Sequence, residues 1–129
     1  MEVWDFNGSC QVSRDDEVLA RLRSVRRGTH GAFVLSHGGE ESLYIHINRD
    51  AAFLCFFPLD RSGGHPGFVP DHMWPATHCD VDFLLVGGDE ADSITVPWDQ
   101  LVPVDIAYRA AVEFLRSPTR PRSVKWFEL

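Results

Sequence analysis

Apolar positions along the chain follow two different periods. Val18, Leu19, Leu22 and Val25 recur at helical spacing after Ser13 and Asp16, which resemble a capping box, and Gly28 ends the pattern. This predicts an amphipathic helix over residues 14–26. Three β-rich runs follow at 31–36, 42–48 and 51–57, joined by links short enough to predict an antiparallel meander. In the middle run Leu43, Ile45 and Ile47 alternate with Tyr44, His46 and Asn48, so that strand is expected to be half exposed. The third run, Ala-Ala-Phe-Leu-Cys-Phe-Phe, is apolar on both faces and is predicted to lie inside the sheet. Two further strands, 81–86 and 93–98, flank the turn Gly87-Gly88-Asp89-Glu90. A second helical stripe of Ala107, Ala110, Ala111, Phe114 and Leu115 opens at Pro103 and closes before Pro118, and residues 124–127 read as a last short strand.

Each amphipathic stripe needs an apolar layer to cover. The predicted fold is therefore α+β, a mostly antiparallel β-sheet of about five to six strands with two helices packed on one face. No repeat or linker divides residues 1–129, which are expected to form a single domain. Residues 58–75 break the regularity with four prolines and three glycines, yet carry Phe68, Met73 and Trp74. Ordered loops of this length are uncommon and often functional. Their large apolar side chains either pack back on the core or await a partner, and prolines 66, 70 and 75 would stiffen the loop for docking.

With 129 residues, 44% hydrophobic and 24% charged, the chain can bury one real core without cross-links. The start has neither a basic nor an apolar targeting region, and no apolar run approaches the roughly 20 residues needed to span a bilayer. A cytoplasmic protein without membrane contact is expected. Cys10, Cys55 and Cys79 form an odd set without paired spacing, which fits a reducing compartment. The net charge of −7 argues against direct nucleic-acid binding, since phosphate recognition needs a cationic face. Residues 71–113 hold nine acids against the single base Arg109. Such a field either keeps the protein soluble or steers it toward a basic partner.

Convergent chemistry is sparse. His65, His72, His78 and Cys79, with Asp71 and Asp80 beside them, are possible zinc ligands and would serve a small metal-dependent enzyme, the alternative reading. Their spacing matches none of the usual ligand pairs, so no metal or cofactor is predicted. His46 and Cys55 lie on neighbouring predicted strands, but a buried thiol without a nearby cation stays protonated and inert. No phosphate-binding loop, dinucleotide fingerprint or nucleophile elbow is present. The expectation is a binding protein that is not an enzyme.

The second half carries a recognisable pattern: Phe83-Leu84-Leu85-Val86-Gly87-Gly88, then Val102-Pro103 leading into Ile106, Ala110, Ala111 and Phe114, then Arg120-Pro121, Val124, Trp126 and Glu128-Leu129. This resembles an immunity-protein family of bacterial polymorphic toxin systems, whose members are typically paired with deaminase-fold toxins. The shared positions read as structural, with Trp126 expected under a helix. The resemblance implies a dedicated inhibitor of a cognate toxin domain, most specifically a nucleic-acid deaminase, or else a toxin of another class such as a nuclease. A deaminase presents a basic substrate groove around a zinc-bound water, and that zinc would belong to the toxin. The residues expected to face the toxin are Phe68, Asp71, Met73 and Trp74 in the loop, with Asp80, Asp82, Asp89 and Glu90 from the acidic segment.

Overall fold

Alternating apolar and polar side chains in one strand, beside neighbours apolar on both faces, build the centre of the molecule, a computed structural model that describes residues 1–38, 41–59, 66–74, 79–87 and 92–129. Strands β1 (Glu2–Asp5), β2 (Gly8–Gln11), β3 (His30–Ser36), β4 (Ser42–Asn48), β5 (Ala51–Phe57), β6 (Phe68–Pro70), β9 (Val102–Pro103) and β10 (Trp126–Glu128) form one eight-stranded antiparallel sheet. Its order is β10-β6-β5-β4-β3-β1-β2, with β9 pairing the start of β5. Strands β7 (Val81–Leu84) and β8 (Ser93–Val96) form a separate hairpin.

Helices α1 (Asp15–Ser24) and α2 (Val104–Arg116) both pack on one face of the large sheet. Leu43, Ile45 and Ile47 of β4 meet Val18 and Leu22 of α1 and Ala107, Ala110, Ala111 and Phe114 of α2 in one fully buried cluster. The small alanines of α2 let its backbone approach the sheet closely, while Phe114 fills the space at the end of the stripe. This α+β arrangement, mostly antiparallel with two helices on one face, is the one the periodicities predict. The large sheet has eight strands, because β1, β2, β6 and β9 were not legible, while the strands predicted at 81–86 and 93–98 stand apart from it as the β7–β8 hairpin.

The helix boundaries move for identifiable reasons. Arg14 occupies the N-cap of α1, and Glu17, not Asp16, closes the cap by accepting the backbone N–H groups of Ser13 and Arg14, each at 3.1 Å. Hydrogen bonding from Ser13 holds the Glu17 carboxyl below its usual pKa. Helix α1 ends at Ser24, four residues before Gly28, whose φ of +63° serves the turn that carries the chain into β3. Arg26 then folds back on Leu22, and its guanidinium lies over the Phe33 ring at 6.0 Å. A Cβ on Gly31 would stand 2.7 Å from that guanidinium, so glycine there permits the close approach.

Asp5 is the buried polar tie between the first strand and the helix layer. Its Oδ2 accepts from Arg21 Nη2 at 2.5 Å, and its Oδ1 accepts the Asn7 backbone N–H at 2.9 Å. The carboxylate is therefore satisfied on both oxygens while fully withdrawn from water.

Candidate functional site

Among the described residues, the face of the sheet opposite the helices is covered over only part of its width. Antiparallel partners point to the same side, so the register sorts this face into rows running across the strands. One row holds Ala32, His46 and Phe53, another Ser9, Trp4, Val34, Tyr44 and Cys55, and a third Gln11, Glu2, Ser36, Ser42 and Phe57. The hairpin β7–β8 lies over the first row. Phe83, fully buried, packs 6.4 Å from both His46 and Phe53, with Val96 and Leu101 in the same cluster. Two sheet side chains pin the hairpin down: His46 Nδ1 donates to the Leu84 carbonyl at 3.3 Å, and Asn48 Nδ2 to the Asp82 carbonyl at 2.9 Å.

His46 consequently departs from the half-exposed state that alternation alone predicts. It is buried, stacked on Phe53 at 5.9 Å, and its burial holds the ring pKa below the ordinary 6.5 despite the hydrogen bond to Leu84. Cys55 sits diagonally across on the next strand, where burial pushes its thiol up to about 12. A depressed folded-state pKa on histidine means that the unfolded chain binds the proton first as pH falls. The contribution of His46 to stability is complete above about pH 6.5 and declines as pH drops below it. We expect the urea midpoint to fall between pH 7.5 and 5.5, and His46→Gln to flatten that slope; an unchanged slope in the variant would assign the pH dependence to other groups.

Beyond the hairpin, Trp4 and Tyr44 of the second row stay exposed, while Cys55 at its end packs against the cluster under the hairpin. Trp4 is 47% exposed and Tyr44 36%, with Val34 between them, and the Tyr44 ring meets Phe57 edge-on at 5.1 Å. Where the chain leaves β7, Leu85 and Val86 run beside Trp4, and a Cβ on Gly87 would lie 3.7 Å from the indole. Trp4, Val34, Tyr44, His46, Leu85 and Val86 line a cavity of about 240 Å³ that opens to the outside. The position of Trp4 on a sheet strand was not legible in the sequence, because two four-residue strands with Glu2, Asp5, Ser9 and Gln11 give too weak an apolar signal. The alternation of Val3 and Asp5 with Glu2 and Trp4 was the available clue.

Charge is sorted between the two sides. The open face and the hairpin carry Glu2, Asp80, Asp82 and Asp92, and no Lys or Arg among their described residues. Most of the described arginines lie in or beside the helices. There Arg116 pairs with Asp15, and Arg120 lies over the Phe68 ring at 4.2 Å, beside a hollow of about 370 Å³ at the end of α2.

The structure separates the residues expected to face a partner. Asp80 and Asp82 are exposed, Asp82 accepting from the Thr95 hydroxyl at 2.5 Å and Asp80 from the Trp98 backbone N–H at 3.3 Å. Asp89 and Glu90 lie outside the described residues, as do His65 and His78. Asp71 is partly buried and already engaged: His72 Nδ1 donates to it at 2.5 Å and Lys125 Nζ stands 3.8 Å away. The hydrogen bond from His72 and the Lys125 charge hold the Asp71 carboxyl below its usual pKa. The neighbouring His72 takes a left-handed φ of +50°.

Phe68 is half-buried in β6 against Phe56, Met73 rests on the helix-side core and accepts the Lys125 N–H at 3.1 Å through sulfur, and Trp74 packs against the cluster beneath the hairpin. Trp126 is half-buried against Phe56, with its indole N–H donating to the Pro121 carbonyl at 2.8 Å. Because Trp74 is partly buried, Trp74→Ala is expected to cost about 2 kcal/mol of stability, read as a lower denaturant midpoint. An unchanged midpoint would mean the indole contributes no packing.

The sequence matches the family model for immunity protein Imm1 over residues 7–128. The chain is thus an immunity protein, a class whose partner is a toxin protein. It belongs to the immunity protein Imm1 family. Among curated proteins, none matches the sequence. No helix of the described residues is long and apolar enough to cross a membrane.

Proposed function

We propose that this immunity protein binds a nucleic-acid deaminase toxin domain in the cytoplasm of the producing cell and inhibits it by covering the substrate groove. The observation that supports this reading is that the described charged residues of the hairpin and open face are all acidic, on a member of an immunity-protein family. A toxin that handles nucleic acid must hold phosphates with lysine and arginine, and an acidic protein can occupy the same groove in their place. In this reading Asp80, Asp82, Asp89 and Glu90 supply the charge. Phe68, Asp71, Met73 and Trp74 would add only the edges that their packing leaves exposed. In this reading the chain acts by binding and not by catalysis; the raised pKa of Cys55 and the burial of His46 beneath the hairpin support it.

Co-expression with the toxin encoded beside this gene tests the proposal. The expected result is survival of cells that the toxin alone kills, with loss of deamination in a purified mixture. A toxin domain lacking the zinc-ligand and glutamate signature H-x-E and P-C-x-x-C would remove the deaminase part while leaving immunity intact. Association should also slow by tenfold or more between about 0.05 and 0.5 M salt, because the steering field is screened over a Debye length of about 10 Å at 0.1 M. A rate that stays flat across that range would exclude steering by the acidic surface.

A further inference from the structure

We infer that the open half of the sheet face is where the toxin docks, with an apolar side chain of the toxin seated in the cavity between Trp4, Tyr44 and the Leu85–Val86 segment. The inference rests on the toxin-binding reading above and gives it a surface. Interfaces concentrate their energy in buried aromatic side chains, tryptophan and tyrosine foremost, surrounded by a polar ring that excludes water. The open rows have that composition. Trp4, Val34, Tyr44 and Phe57 form an apolar stripe across four strands, and Ser9, Gln11, Glu2, Ser36 and Ser42 border it.

The aromatic side chains stand on strands, not on a loop. β1, β3, β4 and β5 are held by continuous ladders, and the helix layer backs them from behind. Trp4 and Tyr44 therefore present a preformed surface, and little conformational freedom is lost when a partner covers them.

Charge selects the occupant. In a two-fold pairing of this face with a second copy, the same patch meets itself. Glu2, Asp80 and Asp82 would then be brought toward their own kind, with no Lys or Arg among the described residues of the face. A basic protein surface carrying a projecting apolar side chain satisfies both the stripe and the acids around it. A nucleic-acid-handling toxin domain has that basic character.

The test uses the full-length protein and the neighbouring toxin domain, inactivated by a catalytic-site substitution so that it can be purified. Affinities of Trp4→Ala, Tyr44→Ala and Val34→Arg are compared with that of wild type, alongside Arg109→Ala on the exposed side of α2 as a distant control. Loss of at least about tenfold for each alanine variant and more for Val34→Arg is expected, with the thermal midpoint retained and the control within twofold. Trp4 and Tyr44 are both substantially exposed, so if one substitution lowers the midpoint the other still reads the surface. Unchanged affinity in the folded face variants, with wild type binding normally, overturns the docking surface and leaves toxin binding standing. Failure of wild type to bind the toxin overturns the functional reading itself. A wild-type dimer in sedimentation that Val34→Arg converts to monomer assigns the face to self-association and also overturns the inference.

Discussion

Phe114→Ala is expected to destabilise the protein by about 3 to 5 kcal/mol, the range for deleting a fully buried phenylalanine. Phe114 has no solvent exposure and joins α2 to the sheet: its ring meets Phe56 edge-on at 6.3 Å and the His37 ring at 5.1 Å. The backbone carbonyl of the same residue accepts from His37 Nε2 at 2.7 Å. Alanine would keep that hydrogen bond and lose the ring, so the measured cost isolates packing. Neighbouring Ala110 and Ala111 are already small and leave little that could collapse into the void. Chemical denaturation should show a lower midpoint with an unchanged slope. A cost under about 1 kcal/mol would mean that α2 settles onto the sheet without the ring.

Arg21→Met is expected to cost about 3 kcal/mol, because it strands the Asp5 carboxylate. The Asp5 side chain is completely buried, whereas Arg21 keeps 29% of its side chain in contact with solvent. Removing the arginine leaves a buried charge with only the Asn7 N–H to compensate it, and breaking a buried pair from one side typically costs about 3 to 5 kcal/mol. Removing the acid instead should cost less, since the partly exposed guanidinium can rehydrate. Asp5→Asn, which can still accept from Asn7, should therefore be milder, and Asp5→Asn combined with Arg21→Met should recover part of the loss. Equal costs for the two single variants, or strict additivity in the double variant, would show that the pair does not act as a unit.

The order of these two effects depends on geometry that no local pattern contains. Phe114 was legible as core from its place in the stripe with Ala107, Ala110 and Ala111. The pairing of Arg21 with Asp5 was not, because the partners are sixteen positions apart and belong to elements of different period. The same holds for Trp126, whose half-burial follows from β10 pairing with β6 at the edge of the sheet. β6 is three residues long, and a three-residue strand carries no readable alternation.

From the sequence alone come the long elements: β4 and β5 to the residue, β3 within one, and α2 from its stripe of small apolar side chains. These elements follow from short-range physics, since alternation at period 2 or recurrence near 3.6 fixes which side chains share a face whatever the rest of the chain does. The family pattern in residues 81–129 was legible too, because it is made of core positions and turns. Tertiary structure decided the rest. β1 becomes a strand because β3 offers it an edge, and β2 because β1 then offers the next one, although their own side chains are largely polar. The β7–β8 strands pack on His46 and Phe53 while Tyr44 stays partly exposed, so two residues of one alternating set end in opposite environments, one buried and one open. That division creates the apolar stripe of Trp4, Val34 and Tyr44. Burial is a property of what lies opposite a residue in space, and a one-dimensional pattern records only which way the residue points.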